Sequence, residues 1–310
     1  MQTLKNAVVT GATGMIGINL IERLLKEGAE VLALIRPHSP NAGRLPKEKG
    51  LTVRECGLSG LSALAGEIEG RYDAFFHLGW DGTFGESRND MRLQNQNVRY
   101  TLDAVALAGA LGCQVFVGAG SQAEYGRVSG PLSANTPAFP ENGYGNAKLC
   151  AGQMSRIACK QRGIRHVWAR ILSVYGTYEG PNTMVMSSIR KLLRGEIPPY
   201  TKSEQMWDYL FSEDAANGLY RMALRGRDGG VYCLGSGRAR PLREYILQIR
   251  DAVDPSLPVE IGALPYAPNQ VMYLCADIAA LTKDTGFLPQ VPFEEGIQKT
   301  VAWCKKELGL

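Results

Sequence analysis

The stretch Val8-Val9-Thr10-Gly11-Ala12-Thr13-Gly14-Met15-Ile16-Gly17 joins a short apolar run to an amphipathic helical pattern. Its three glycines have separate physical roles: Gly11 permits a tight turn, Gly14 lets the backbone approach a ligand, and Gly17 lets the helix pack closely on the strand. The amino terminus of a helix also attracts negative charge. This stretch therefore predicts a strand, a phosphate-binding loop and a helix. The predicted dinucleotide contacts are Gly11, Thr13, Gly14, Met15, Ile16 and Gly17.

The first half of the chain repeats this alternation of apolar runs and helical patterns. Strands are predicted at 7–10, 31–35, 51–54, 74–78, 114–117 and 166–170, and helices at 15–26, 93–111 and 144–161. Short apolar runs of this kind are typical of parallel strands that are buried on both faces. We therefore expect an α/β protein with a doubly wound parallel Rossmann sheet, in which ligands bind beyond the carboxyl ends of the strands. Glycines at such a turn can serve the turn alone, but the βαβ setting favours a dinucleotide.

The alternation becomes irregular after Tyr175-Gly176, where prolines punctuate short segments. We expect a dinucleotide-binding domain over 1–175, with returning segments near 205–235. A smaller substrate-binding lobe over 176–310 would be interleaved with it. No stretch is rich enough in glycine and serine to form a flexible linker. The lobe is therefore expected to fold back over the sheet and form a cleft.

The composition argues against several classes of protein. The 310 residues are 45% apolar and 21% charged, and they contain no run of about 18 uncharged apolar residues that could span a membrane. The amino terminus lacks the zones of a signal peptide, so we expect a cytoplasmic protein. A net charge of +4 without clustering gives little support for nucleic-acid binding. The 3 histidines and 7 cysteines show no metal-binding spacing, so neither a metal nor disulfides are expected.

The end of the second strand bears on the choice of dinucleotide. Ile35 stands where an acidic residue would bind a free ribose 2′-hydroxyl, and Arg36 follows it. A guanidinium can bind a 2′-phosphate through two hydrogen bonds. Arg36 therefore favours NADP, while NAD stays possible because a solvated surface arginine before Pro37 would look the same.

Three side chains predict carbonyl chemistry. Tyr144 and Lys148 are one helical turn apart, so the Lys148 ammonium can lie near the phenol and favour its ionised form. Ser121 would lie at the carboxyl end of a central strand and could polarise a carbonyl group. Each residue alone also fits a surface helix pair or a turn serine. Their occurrence together, in a chain that begins with the glycine loop, favours catalytic roles for Tyr144, Lys148 and Ser121.

These motifs resemble the extended short-chain dehydrogenase/reductase family, in the branch of nucleotide-sugar epimerases, dehydratases and reductases. The resemblance covers nearly the whole chain, and further matching segments are His77-Leu78-Gly79, Asn97 to Thr101, Arg170 to Gly176, Trp207 to Ala215 and Asp277 to Pro289. It implies that Leu78, Gly79, Asn97 and Leu172 lie near the cofactor, and that Lys148 also touches the nicotinamide ribose. It further implies a homodimer that pairs through the helices at 93–111 and 144–161.

The chain departs from the family pattern at three places. Gln122-Ala123 replaces the acidic pair that dehydratases use beside the serine, so dehydration is disfavoured, although Glu124 keeps it open. Gly57 stands where an aspartate often contacts adenine. Trp207 stands where many relatives have an arginine that binds the substrate diphosphate. Either one of the cations Arg190, Lys191, Arg194 and Lys202 binds the diphosphate, or the substrate is not a nucleotide sugar.

The residues and the resemblance together favour an NADP-dependent reductase of a keto sugar, best fitted by a 4-keto-6-deoxy nucleotide sugar. Tyr144 would donate the proton and Ser121 would hold the carbonyl oxygen. Two alternatives stay open at this point. One is a nucleotide-sugar 4-epimerase with retained NAD, which would use the same three residues, and the other is a noncatalytic dinucleotide-binding sensor.

Overall fold

A computed structural model of the chain describes residues 3–310. Met1 and Gln2, the first residues of the predicted dinucleotide-binding domain, lie outside the described residues. The strands are β1 (Asn6–Thr10), β2 (Glu30–Ile35), β3 (Leu51–Glu55), β4 (Ala74–His77), β5 (Val115–Ser121), β6 (Arg165–Ile171), β7 (Ser173–Tyr175), β8 (Pro199–Tyr200), β9 (Met206–Trp207), β10 (Tyr209–Phe211), β11 (Gly230–Leu234), β12 (Arg240–Pro241) and β13 (Glu260–Ile261). The helices are α1 (Met15–Lys26), α2 (Met91–Ala110), α3 (Gly143–Gln161), α4 (Met184–Leu193), α5 (Ser212–Arg225), α6 (Leu242–Val253), α7 (Ala279–Thr285) and α8 (Phe293–Leu308).

Seven of these strands form one parallel sheet in the order β11-β6-β5-β4-β1-β2-β3. The chain builds outward from β1 to β3 and then crosses back to place β4 on the other side of β1. This reversal opens a crevice at the carboxyl ends of β1 and β4, where doubly wound sheets bind their ligands. The predicted doubly wound α/β sheet is confirmed.

The sheet is buried because helices cover both of its faces. Helices α1 and α5 pack together on one face, and α2 and α3 pack together on the other. Successive side chains of β1 point to opposite faces, so Ala7 and Val9 join one apolar core while Val8 joins the second. The seventh strand, β11, comes from the second half of the chain and pairs with β6.

Strand β3 corrects one expectation from the sequence. The run at 51–54 was expected to be a buried strand, but no residue of β3 is buried and Val53 is 46% exposed. The reason is its position, since β3 is the edge strand and pairs with β2 alone. The polar residues Thr52 and Arg54 in this run are consistent with an edge.

The remaining elements form a second core beside the sheet. Helices α4, α6 and α8 surround a cluster of aromatic rings, in which the centres of Tyr175 and Phe293 are 4.6 Å apart, as are those of Tyr245 and Phe293. The buried Asp208 fixes the loops around this core by accepting hydrogen bonds from the backbone amides of Ser236, Gly237 and Ala276. Within residues 3–310, no helix is both long and apolar enough to cross a membrane.

Local backbone geometry explains why glycine is needed at two of the three glycine positions in the loop after β1. Gly11 has a φ of +66°, which favours glycine, and its backbone lies against that of Leu78 and Gly79. A Cβ atom on Gly17 would overlap the carbonyl oxygen of Gly11. A Cβ atom on Gly14 would meet the same oxygen at 3.4 Å, which is an ordinary contact. The turn and the helix packing therefore require Gly11 and Gly17, whereas folding alone does not require Gly14.

We predict that Gly17→Ala lowers the free energy of unfolding by about 1–3 kcal/mol, because the added methyl group forces the helix away from the loop. This loss exceeds the roughly 1 kcal/mol that alanine gains over glycine in a helix. Gly14→Ala is the matched control and should unfold close to wild type. Urea denaturation of the three proteins checks the prediction, and equal stability of the two variants would contradict it.

Candidate active site

A cleft of about 380 Å³ opens where the strand order reverses, beside the ends of β1, β2 and β4. Of the residues predicted to contact a dinucleotide, those that line this cleft are Gly11, Thr13, Gly14, Arg36, Leu78 and Gly79. Met15, Ile16 and Gly17 form the first turn of α1, directly behind the loop. Gly57, which replaces an aspartate of the family pattern, also lines the cleft.

The amino terminus of α1 is suited to a phosphate group. Gly14 caps the helix without a side-chain hydrogen bond, and the first turn carries no acidic residue. The first backbone N–H groups of the helix are therefore not satisfied by a side-chain cap, and the helix dipole there carries partial positive charge. With no side chain on Gly14 to block the approach, this turn fits the pyrophosphate of a dinucleotide.

Arg36, the residue after β2, shares the cleft with polar groups. Arg36 is exposed and lines the cleft together with Thr13 and Asn41. The hydroxyl of Thr13 lies 3.0 Å from that of Ser39, and the Asn41 side chain donates to the Thr13 carbonyl oxygen at 3.5 Å. A guanidinium with hydroxyl and amide neighbours can bind a phosphate monoester. Asn41 and Ser39 were not singled out from the sequence, because they follow the strand in an irregular loop.

Asn97 and Leu172 lie away from the lining of this cleft. Asn97 is buried on α2, where its amide exchanges two hydrogen bonds of 2.9 Å with the backbone of Asp81. Gln94, one turn earlier, accepts a hydrogen bond of 2.9 Å from the Trp80 indole. These amides hold the loop after β4, which does line the cleft. Leu172 is buried in an apolar cluster with Tyr125.

Tyr144 and Lys148 share one face of α3, as their spacing predicts. The side chain of Asn142 caps the helix by accepting from the Gly145 amide at 2.8 Å. Lys148 is buried, and its Nζ donates to the Ala119 carbonyl oxygen at 2.7 Å. The same Nζ lies 3.8 Å from the centre of the Trp80 ring. Burial lowers the pKa of Lys148 to about 7, and the charge of a nearby carboxylate opposes that shift only in part.

The environment of Tyr144 differs from the sequence expectation in one respect. Burial raises the pKa of the phenol, while the Ser121 side chain and the positive charge of Arg88 lower it. The Arg88 guanidinium carbon lies 4.3 Å from the centre of the Tyr144 ring, whereas Lys148 Nζ lies 5.7 Å from it. The cation nearest the ring is therefore Arg88 and not Lys148. No sequence pattern indicated Arg88, because the contact joins segments more than 50 residues apart.

Ser121 is the last residue of β5, at the carboxyl end of the strand. Its hydroxyl accepts a hydrogen bond from the Ala123 amide at 3.2 Å, and Glu124 closes the turn by accepting from the Ser121 amide at 2.8 Å. Glu124 is fully buried and also accepts from the Trp168 indole at 3.0 Å and the Arg170 guanidinium at 2.6 Å. These three donors hold the carboxylate in the interior, between the end of β5 and β6.

A second cavity, of about 330 Å³, lies in the smaller core. Its lining carries no charged side chain and consists of Met184, Pro199, Tyr200, Thr201, Ser203, Gln205, Trp207, Tyr209, Leu242, Leu264 and Gln270. Trp207 is half-buried, and its indole donates to the Ser173 hydroxyl at 2.9 Å. Of the four cations proposed from the sequence to bind a diphosphate, Lys202 lies between two lining residues, and none lines the cavity itself.

Comparison with known proteins agrees with this geometry. The model of the NAD dependent epimerase/dehydratase family matches residues 7–235. The chain is 28% identical over 181 residues to a dTDP-glucose 4,6-dehydratase of Shigella flexneri, covering 56% of this chain and 50% of the relative. In that alignment the chain spans about half the length of the curated relative it matches.

Two solved structures share the fold over nearly their whole length. One is a UDP-N-acetylglucosamine 4-epimerase from Methanobrevibacter ruminantium M1, with a TM-score of 0.88 and 22% identity over 99% of this chain and 100% of that one. The other is RMD from Pseudomonas aeruginosa complexed with NADPH, with a TM-score of 0.81 and 21% identity over 97% of this chain and 99% of that one.

The chain belongs to the NAD dependent epimerase/dehydratase family. It is thus an enzyme of the extended short-chain dehydrogenase/reductase type, as its motifs predicted.

The buried Lys148 gives a prediction about stability. An unfolded lysine has a pKa of about 10.4, so between pH 7 and 10 the unfolded state binds more protons than the folded state. The folded state of the wild type therefore loses stability as the pH falls through this range. We predict that Lys148→Met is more stable than wild type at pH 7, by roughly 1–2 kcal/mol, and that this difference shrinks by pH 10.

Urea denaturation of the cofactor-free proteins at both pH values measures the difference. Lys160→Met, an exposed site on the same helix, is the matched control and should show no such dependence. A difference between Lys148→Met and wild type that is the same at both pH values would contradict the prediction.

Proposed function

We propose that this enzyme is an NADPH-dependent reductase of a keto sugar, with a 4-keto-6-deoxy nucleotide sugar as its substrate. The observation that carries the proposal is the position of Arg36 on the cleft, beside Thr13 and Asn41 and without an acidic residue at the end of β2. Net reduction draws on the reduced NADPH pool, whereas an epimerase works with a dinucleotide that it retains. The NADPH complex of RMD, which shares this fold, is consistent with this choice.

The protonation state of Tyr144 also supports reduction. Burial is the largest influence on the phenol and raises its pKa, so Tyr144 carries its proton at neutral pH. A proton donor needs this form. NADPH, when bound, supplies the hydride. Ser121 would hold the carbonyl oxygen by a hydrogen bond, and Tyr144 would transfer its proton to that oxygen as the carbonyl carbon is reduced.

The surroundings of Ser121 argue against dehydration, although the curated relative is a dehydratase. Elimination of water needs an acid and a base beside the substrate. Gln122 and Ala123 supply neither, and Glu124 is engaged by three hydrogen-bond donors. The chain therefore offers Tyr144 as the proton-transferring group, and the carboxylate near it, that of Glu124, is buried and held by the Ser121, Trp168 and Arg170 donors.

The uncharged cavity in the second core suits the nucleoside part of such a substrate. Trp207, Tyr200 and Tyr209 give it an aromatic lining, and Gln205 and Gln270 offer amide groups that can pair with a base. Aromatic faces stack on bases and sugars. The diphosphate would lie outside this cavity, where Lys202 is adjacent in sequence to the lining residues Thr201 and Ser203.

The second candidate function is a nucleotide-sugar 4-epimerase with retained NAD. A 4-epimerase would use the same residues Ser121, Tyr144 and Lys148, and the matching family model is that of NAD dependent epimerases and dehydratases. In the epimerase the phenol would have to lose its proton first, so the raised pKa of Tyr144 favours the reductase.

We predict that a panel of CDP-, GDP-, dTDP- and UDP-linked 4-keto-6-deoxy sugars contains a substrate that the enzyme reduces with NADPH at least tenfold faster than with NADH. Tyr144→Phe should lower the rate by about 10²–10⁴-fold, because the proton donor is lost. Absorbance at 340 nm follows the reaction. Formation of a C4 epimer from a UDP-hexose without added cofactor would instead establish the epimerase.

The variant Arg36→Ser tests whether Arg36 selects NADPH over NADH. Loss of a charge-assisted contact to the 2′-phosphate should weaken NADPH binding by about 10–100-fold and leave NADH binding unchanged. Isothermal titration with each dinucleotide measures both values, and equal binding of NADPH and NADH by the wild type would rule out the NADPH assignment.

We also propose that the enzyme is a homodimer that pairs through α2 and α3. On α3, Met154 and Ile157 lie on one face and are 42% and 55% exposed, and Met91 at the start of α2 is 62% exposed. Sedimentation equilibrium should give twice the 33.7 kDa chain mass. Ile157→Lys should dissociate the dimer, and Ile197→Lys, an exposed site outside these helices, should not. A monomeric wild type would exclude the proposal.

A further inference from the structure

Arg88 lies close to Tyr144 because two chain segments meet there. It sits on a single turn of 3-10 helix, Gly85–Asn89, between β4 and α2. Gly143, the first residue of α3, has no side chain to separate the two segments, since a Cβ atom there would lie 3.0 Å from the Arg88 carbonyl oxygen. The Arg88 guanidinium then lies over the Tyr144 ring at 4.3 Å and donates to the Thr83 carbonyl oxygen at 3.3 Å.

The loop that carries Arg88 is fixed in place by α2. The buried amide of Gln94 donates to the carbonyl oxygens of Gly82, at 2.8 Å, and Ser87, at 2.9 Å. It also accepts from the Trp80 indole, whose ring meets Tyr144 edge-on with centres 6.1 Å apart. The Gln94 hydrogen bonds therefore fix the backbone of the loop that carries Arg88. This places the Arg88 guanidinium over the Tyr144 ring.

The charge of Arg88 is not compensated by a nearby carboxylate. Within residues 3–310, Arg88 takes part in no ion pair shorter than 4.0 Å. A guanidinium keeps its proton at any pH at which the protein is folded. Lys148 is farther from the ring, is bonded to the Ala119 carbonyl oxygen, and has a pKa that burial lowers to about 7. Arg88 is thus the constant positive charge beside the phenol.

We propose that Arg88 is a positioning residue that stabilises the Tyr144 phenolate formed when the phenol gives up its proton. The inference rests on the proposed reduction. In that step the phenol O–H bond breaks, the proton bonds to the carbonyl oxygen, and two electrons enter the carbonyl carbon with the hydride from NADPH. The phenol keeps the electron pair of its broken bond, and the Arg88 charge stabilises it until solvent returns a proton.

Some of the groups around Tyr144 raise the pKa of its phenol and others lower it. Burial and the charge of Glu124, at the end of β5, raise the pKa of the phenol. Ser121, also at the end of β5, and Arg88, from the loop before α2, lower it. Lys148, from the same helix, faces the ring at 5.7 Å. Removing the Arg88 charge should therefore make Tyr144 a weaker acid, with the other groups unchanged.

A titration of Tyr144 tests this without a substrate. In protein labelled with ¹³C at tyrosine Cζ, the Tyr144 signal is the one that disappears in Tyr144→Phe. In Arg88→Gln that signal should titrate about one pH unit higher than in wild type, and Arg88→Lys should restore most of the difference. Arg92→Gln removes the same charge from an exposed site on the next helix and is the matched control. An unchanged Tyr144 titration in Arg88→Gln would overturn the proposal.

Kinetics provide the second measurement once a substrate is known. Arg88→Gln should lower kcat about tenfold with KM within twofold of wild type, and the slower rate should be partly recovered in Arg88→Lys. A higher KM with unchanged kcat would overturn the proposal and make Arg88 a substrate-binding residue. If no keto sugar is reduced, the proposed function fails, while the NMR titration still decides whether Arg88 controls the phenol.

Discussion

The candidate active site depends on the hydrogen bonds and the ion pair that the buried carboxylate of Glu124 makes. It accepts hydrogen bonds from the Ser121 amide, the Trp168 indole and the Arg170 guanidinium, and so ties the carboxyl end of β5 to its neighbour β6. Removing one partner of a buried ion pair leaves an uncompensated charge, which costs about 3–5 kcal/mol. Glu124 also raises the pKa values of both Tyr144 and Lys148. One side chain thus fixes the position of Ser121 and sets part of the electrostatics at α3.

Two different side chains provide the fixed hydrogen bond inside the site and the positive charge beside the Tyr144 ring. Lys148 is buried against the Ala119 carbonyl oxygen and the Trp80 ring, where a permanent charge is unfavourable. Arg88 is half-exposed and lies nearer to the phenol ring. The first is suited to a fixed hydrogen bond inside the site. The second supplies positive charge at any pH, because a guanidinium is hard to deprotonate even when partly desolvated.

The sequence predicted the regular part of the fold well, because each βα unit carries its own local signals. Helix α1 begins and ends at the predicted residues, and the predicted strands appear within a few residues of their expected bounds. Burial of β3 was predicted wrongly, because the position of a strand within a sheet is a property of the topology and not of the strand. The positions of Ser121, Tyr144 and Lys148 followed from the motif, but their partners did not. Contacts such as Arg88 with Tyr144 and Glu124 with Arg170 join distant segments, and no local pattern marks them.

Net reduction at a carbonyl carbon would take its hydride from NADPH and its proton from Tyr144. The most direct test uses NADPH labelled with deuterium at the transferable position of the nicotinamide, followed by mass spectrometry of the sugar product. Net reduction predicts one deuterium on the new carbinol carbon for each NADPH oxidised, with no hydrogen taken from solvent at a neighbouring carbon. A product without deuterium, formed with no NADPH oxidised, would contradict it and point to epimerisation on a retained dinucleotide.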